Sequence, residues 1–475
     1  MKRIILASSI VLALATLVFA QIVAKVIKAG EKPSIAIPDL RGAGDAQRFM
    51  DAFNSTLDRE LGTSGQLTIR PKTTYPLRPP QQPSDLRQPA PGAASQGAWL
   101  TDWSGPPVNA NYLAFGYTAV QNGQMVLFGW LYDVTQPNTT AAQLIGKVYT
   151  SSLDEAGARK VSQQFACDIL AKFGATCLMG TRIYFVSDRT GHKEIWSMNY
   201  DGSEQKEFTA YGSISTFPTV SPDGTKIAFT TYPLLPSSRA AAAEKLRSAV
   251  PQKQQYQNLG QPQIYVHSLE TGRKLVYYNQ QASMNAASDF MPDSRHLLIY
   301  STAGGGYSQV FQTDIDGSGL RQITHSGALD VEPKVNPKTG ADVVFVSGRG
   351  GTPQVYRMNV DGTDVARLTT GEGDAVNPAW NPDGQHIAFA WTRGFEPGNF
   401  NIFTMDVATR DVVQLTHGEG RNENPNWAPD GIHLVFSAKR GRTSQLYVML
   451  ADGSSVQQLT TQGNNEKPVW TKASQ

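Results

Sequence analysis

Asn377-Pro-Ala-Trp-Asn-Pro-Asp-Gly-Gln-His-Ile-Ala-Phe389 is one unit of a repeat whose parts recur from about residue 181 to the end of the chain. Its Asn381-Pro-Asp-Gly384 reads as a tight turn, because proline presets φ and Asp-Gly supplies a side-chain hydrogen bond and a positive φ. The same corner is written as Ser221-Pro-Asp-Gly224, Met291-Pro-Asp-Ser294, Asn336-Pro-Lys-Thr-Gly340 and Ala428-Pro-Asp-Gly431. An apolar run follows each corner, and then a strand with an aliphatic-aromatic pair: Ile195-Trp196, Ile264-Tyr265, Val310-Phe311, Val355-Tyr356, Ile402-Phe403 and Leu446-Tyr447. Most copies add an Asp-Gly or Thr-Gly turn and a short segment ending in Phe208-Thr209, Ile323-Thr324, Leu368-Thr369, Leu415-Thr416 or Leu459-Thr460. Each unit is therefore expected to be a four-stranded meander.

Corresponding residues Phe185, Phe229, Ile299, Phe345, Phe389 and Phe436 are separated by 44, 70, 46, 44 and 47 positions. Runs such as Ile227-Ala-Phe229 and Leu434-Val-Phe436 are apolar at successive positions, so both faces of each sheet must be covered. Four-stranded units at this pitch, stacked face to face, point to a β-propeller of six blades. The first copy begins at Ile183 without a Pro-x-Trp strand before it, and Lys467-Pro-Val-Trp470 stands last without strands after it. Pairing the two would close the ring and remove both sheet edges. The fold class expected for residues 181–475 is thus an all-β six-bladed propeller closed by its C-terminal strand, with the irregular step marking an insertion at 232–261.

Ahead of the propeller the texture changes. Met1-Lys-Arg3 and the apolar run Ile4–Phe19, ending Val18-Phe-Ala20, read as a secretory leader over 1–20. Residues 21–33 read as an extended segment and 34–177 as a small α/β domain. In that domain Phe49, Phe53, Leu57 and Leu61 mark a helix that Asp45 can cap, Asn122-Gly123 marks a hairpin, and Asp154 opens a second helix toward Phe173. Without Lys2 and Arg3 the 42 basic residues become 40, equal to the 40 acidic ones. With neither a basic run nor interleaved aromatics, nucleic-acid binding is not expected. Cys167 and Cys177 are the two cysteines. In an oxidising compartment they can bridge, and otherwise they are two small core residues.

The order Pro-x-Trp, Pro-Asp-Gly, Ile-Ala-Phe, Ile-Tyr-x-Met, Asp-Gly and Leu-Thr resembles the TolB propeller repeat. Pro80-Gln-Gln-Pro83, the hairpin, the Asp154 helix and the junction Thr181-Arg-Ile-Tyr184 resemble that family's N-terminal domain and its join to the propeller. The resemblance implies a periplasmic component of the Tol-Pal system that supports envelope integrity, cell division and protein import. It also implies binding of a peptidoglycan-associated lipoprotein at the propeller face, and engagement of a TolA-like inner-membrane protein by the segment after the leader. Pro-x-Trp departs from the pattern at Pro218-Thr-Val, Ser288-Asp-Phe and Pro333-Lys-Val.

In a four-stranded blade counted from the axis, the loop entering the innermost strand and the hairpin joining strands two and three share one face. Residues just before each Pro-x-Trp strand are accordingly expected to ring the channel mouth: Thr216, Glu332, Asn377, Glu423, Asn424, Glu466 and Lys467. For any one of them, capping a strand is an equally good account. No catalytic residue, cofactor or metal site is expected. Gly306-Tyr-Ser-Gln-Val310 lacks the second glycine of a nucleophile elbow, the seven histidines show no ligand spacing, and Asp314-Ile-Asp-Gly317 lacks the distal glutamate of a calcium loop. The competing reading is an exported hydrolase or lyase with its site at the channel mouth.

Overall fold

The computed structural model describes residues 32–89, 99–234, 259–418 and 420–472. The expected leader, nearly all of segment 21–33 and all but the ends of the insertion at 232–261 lie outside these residues. The chain divides into two compact units between Met179 and Gly180.

The N-terminal unit is built on a sheet ordered Thr68–Ile69, Ser34–Ala36, Tyr112–Gln121, Gln124–Asp133 and Gln143–Ser152, with Arg41–Gly42 paired to the third of these. Asn122 and Gly123 take φ of 52° and 72° and fold the central hairpin, as their turn chemistry requires. Helices Met50–Gly62 and Glu155–Lys172 cover one face, burying Phe53, Leu57, Leu61, Val161, Phe165 and Ile169 against Leu127 and Leu131. Asp154 caps the second helix by accepting the Gly157 N–H at 2.6 Å. Asp45 does not cap the first: a 3₁₀ turn, Gly44–Phe49, precedes that helix, and Ala43 occupies the turn's cap position. Cys167 and Cys177 form a disulfide with their Cα atoms 5.2 Å apart.

The second unit is the six-bladed propeller. Its innermost strands are Ile214–Val220, Asn285–Phe290, Asp330–Val335, Ala375–Trp380, Arg421–Trp427 and Asn465–Trp470. Each starts a four-stranded antiparallel sheet, and five of these sheets run in chain order. The remaining sheet joins the ends of the ring: Asn465–Trp470 pairs with Arg182–Ser187, setting Val469 opposite Tyr184 and Trp470 opposite Ile183. Side chains lock this closure. The Trp470 Nε1–H donates to Thr181 Oγ1 at 2.9 Å, Arg189 reaches Asn465 Oδ1 at 2.9 Å, and Lys193 pairs with Glu466. Phe185, Phe229, Phe345, Phe389 and Phe436 are fully buried, which is why the second strands are apolar on both faces.

The recurrent Leu-Thr at the end of each unit has a bonding role. Thr209, Thr324, Thr369, Thr416 and Thr460 each accept, through Oγ1, the backbone N–H that opens the aliphatic-aromatic pair. The same hydroxyl donates to the preceding Glu194, Gln309, Gln354, Asn401 or Gln445. Those side chains then hold the loop leading to the next blade, as Gln354 does with the Gly373 carbonyl at 2.7 Å. In the second blade Asn279 substitutes, its amide accepting the Ile264 N–H and donating to the Ile264 carbonyl. Thr369→Val keeps the shape and removes the hydroxyl, leaving the buried Val355 N–H and the Gln354 carbonyl oxygen without it. A loss of about 1–3 kcal/mol, read as a lower denaturant midpoint with unchanged slope, is the expected result.

Candidate functional site

Every innermost strand breaks register with its neighbour near its middle, for example between Val376 and Ala379 and between Glu466 and Val469. The extra residues form a bulge. In five blades the bulge residue immediately precedes a proline and sits in the left-handed region: Phe217 at φ 53°, Glu332 at 55°, Asn377 at 53°, Asn424 at 52° and Lys467 at 53°. A side chain other than glycine pays about 1 kcal/mol or more there, and such strain concentrates at binding sites. The third blade carries Ala287-Ser288 at its own register shift.

These bulges aim their side chains at one cavity of about 80 Å3 in the mouth of the central channel, lined by Phe217, Ser288, Tyr300, Glu332, Lys334, Asn377, Asn424, Asn426 and Lys467 with the neighbouring prolines. The ring has two arcs. In the acidic-amide arc the Glu332 carboxylate accepts both the Asn377 N–H (2.7 Å) and its Nδ2–H (2.9 Å), and Asn377 Oδ1 accepts the Asn424 N–H at 3.3 Å. In the cationic-aromatic arc the Lys467 ammonium lies 4.3 Å above the Phe217 ring, which meets Tyr300 edge-on at 5.8 Å. Burial, reinforced by Glu332, holds the Tyr300 hydroxyl well above its ordinary range. In the same wall Lys334 donates to the Ser288 carbonyl, and the adjacent Asp289 accepts the Val335 N–H at 2.9 Å. Burial pushes the Asp289 carboxyl up despite Lys334 and its backbone donors.

Glu332, Asn377, Asn424 and Lys467 thus come together in the cavity wall. The other three expected residues do not reach it. Thr216 is buried opposite Thr230, Glu423 accepts from Arg421 Nη2 at 2.7 Å, and Glu466 pairs with Lys193. Each stands one position before the bulge residue, and alternation along the strand turns it away. Phe217, Tyr300 and Lys334 went unrecognised. For Phe217 the signal was present, since it is the residue directly before Pro218.

The far turns carry a different constellation. Asp293, Asp383 and Asp430 accept the backbone N–H groups two and three residues on, and each pairs with the Nδ1 of His296, His386 or His433 at 2.6, 2.5 and 2.5 Å. Burial opposes ionisation of all three carboxyls, but the histidine and backbone bonds outweigh it and leave them below the usual range. In the second blade burial of Asp223 is outweighed by bonds from Ser221 and from the backbone and side chain of Thr225, with Lys226 near, and its carboxyl is lowered to about 2. A depressed folded value stabilises above the unfolded pKa, near 4, and the gain is lost as pH falls through the folded value. Urea midpoints should therefore hold from neutrality to about pH 4 and drop between about 4 and 2, and Asp383→Asn with Asp430→Asn should flatten that drop. Among the described residues no group of three or more His, Cys, Asp or Glu side chains is placed to hold a metal ion. No helix among them is long and apolar enough to cross a membrane.

Fold and site together define a closed six-bladed propeller with a strained polar ring at one mouth, preceded by an α/β domain. The family model of the TolB beta propeller domain matches residues 254–393 and 370–475. A TolB homolog of Chlorobaculum tepidum is 31% identical over 221 residues, 46% of this chain and 43% of that protein. The Tol-Pal system protein TolB of Desulfosudis oleivorans is 29% identical over 221 residues, 46% of this chain and 42% of the relative. The matched stretch spans less than half the length of these curated relatives. The crystal structure of TolB from Acinetobacter baumannii shares the fold, with a TM-score of 0.69 at 22% identity over 93% of this chain and 97% of that one. Residues 254–475 therefore carry a TolB-type beta propeller.

Proposed function

We propose that this protein is a non-catalytic periplasmic scaffold of the Tol-Pal envelope system, whose channel mouth binds a peptidoglycan-associated lipoprotein. The observation that carries the reading is the ring of left-handed bulge residues, Phe217, Glu332, Asn377, Asn424 and Lys467, held around one cavity. Such strain persists only where surrounding structure enforces it, and here it presents side chains and backbone to an incoming ligand. The relatives' name, Tol-Pal system protein TolB, supports the same system. A leader-like N-terminus and the Cys167–Cys177 disulfide suit an oxidising, exported setting. In this reading the protein supports envelope integrity, cell division and protein import, and residues 21–33 engage a TolA-like inner-membrane partner. Against the hydrolase or lyase reading, the carboxyl raised by burial, Asp289, does not line the cavity, is engaged by the Val335 N–H and has Lys334 near it instead of a second carboxylate. Mature protein used as bait in envelope extract should retain a lipoprotein with a peptidoglycan-binding domain, and the purified soluble domain should bind directly. A bait that retains none would remove the proposal.

A further inference from the structure

The sixth blade differs from the other five in its hairpin between strands two and three. Strands His433–Arg440 and Thr443–Leu450 make eight cross-strand pairs, whereas the corresponding strands of every other blade make six. At about 3.4 Å per residue the ladder runs roughly 7 Å further before a two-residue turn, Gly441-Arg442, closes it. Blade topology puts this tip on the face of the channel mouth, and the tip is exposed and cationic: Lys439, Arg440 and Arg442.

Its charges are organised. Arg440 lies 4.5 Å over the Tyr447 ring, which fixes its stem against the hairpin. Lys439 stands directly opposite Arg421 on the innermost strand. Like charges in that position repel, and here the Glu423 carboxylate at Arg421 offsets the repulsion. Arg421 is satisfied by Glu423 and stacks 5.4 Å over Phe400, while Lys439 and Arg442 enter no ion pair among the described residues. Glu419 lies outside those residues.

We infer that the sixth-blade hairpin is a rigid basic arm that captures an acidic segment of the protein seated at the channel mouth. The inference rests on the scaffold reading for the identity of that protein, but the acidic chemistry comes from the arm alone. A continuous ladder holds the cations in place, so little side-chain and loop entropy is lost on docking. Rim charges of this kind chiefly raise the association rate and its salt dependence.

The test uses full-length mature protein and Lys439→Glu with Arg442→Glu, with Lys439→Gln and Arg442→Gln as a neutralised pair that guards against misfolding. At low ionic strength a short oligoglutamate peptide should bind the wild type, and the reversed variant should bind it about tenfold more weakly. The soluble lipoprotein domain should associate about tenfold more slowly with the same variant, and the difference should shrink as salt is raised. Equal oligoglutamate binding by wild type and both variants overturns the inference. So does a loss confined to vesicles of phosphatidylglycerol, which would make the arm a membrane contact. If the lipoprotein binds neither form, the scaffold reading falls and the oligoglutamate measurement still decides the arm.

Discussion

Truncation after Gln462 should lower the melting temperature of the propeller by more than about 10 °C. The cut removes Asn465–Trp470, the innermost strand of the first blade, and with it the pairing to Arg182–Ser187. Val469 and the largely buried Trp470 lose their contacts, and the inner face of Tyr184 and Val186 becomes exposed. Burial of one large apolar side chain contributes about 1.5–3 kcal/mol. The strand carries two such side chains, the ladder and the bonds of Trp470 to Thr181 and Asn465 to Arg189, so the loss is on the order of 5 kcal/mol. Opening the ring also frees the inner edge of Arg182–Ser187, which favours aggregation on heating. Trp470→Ala, which keeps the strand, should cost about 3–5 kcal/mol and give an intermediate melting temperature. Thermal melts of all three proteins, followed by circular dichroism, check the order. A truncated protein as stable as the full chain would mean that the ring does not depend on its last strand.

Lys467→Glu should weaken binding of the lipoprotein by roughly 10- to 100-fold while leaving the fold intact. The Lys467 ammonium is the cation of the ring that faces the cavity from above Phe217, and Glu332 stands in the same wall. Reversal puts two carboxylates around one small mouth and removes the cation–π contact, so a partner group that matched the ring's two arcs meets repulsion at one of them. The strand itself is held by its pairing to the first blade and by the Lys193–Glu466 pair, neither of which involves the Lys467 side chain. Titration calorimetry gives the affinity, and an unchanged melting temperature shows that the loss is not unfolding. The same affinity in both proteins would place the contact elsewhere.

The sequence carries the propeller openly. Pro-Asp-Gly corners, successive apolar residues around Phe389, and the complementary remnants at Ile183 and Trp470 each have one economical reading, and the closed ring satisfies all of them. The mouth was legible only to within one residue. A bulge inserts residues into the ladder and changes which side chains face the axis, so Glu423 and Glu466 turn away while their expected neighbours Asn424 and Lys467 point inward, and Phe217 points inward in place of the expected Thr216. The residue before each proline was the better guide. Tyr300 and the Asp289–Lys334 neighbourhood come together only across blades, and no local pattern announces them. In the N-terminal unit, strand Gln143–Ser152 was hidden because Gly146 and the run Thr150-Ser-Ser152 weaken its alternation, while its pairing with Gln124–Asp133 supplies the order that propensity lacks. The Leu-Thr endings were visible as a pattern, but their function as clamps needed the partner residues of the third strand.

If the strained ring is the surface that meets the partner, hydrogen exchange of mature protein with and without the soluble lipoprotein domain will record it there. Protection should appear at the backbone amides of 216–219, 331–335, 376–379, 423–426 and 466–469, with the Asp383 and Asp430 turns on the far side unchanged. Protection of those far turns, with no change around Asn377 and Lys467, would place the partner on the opposite face.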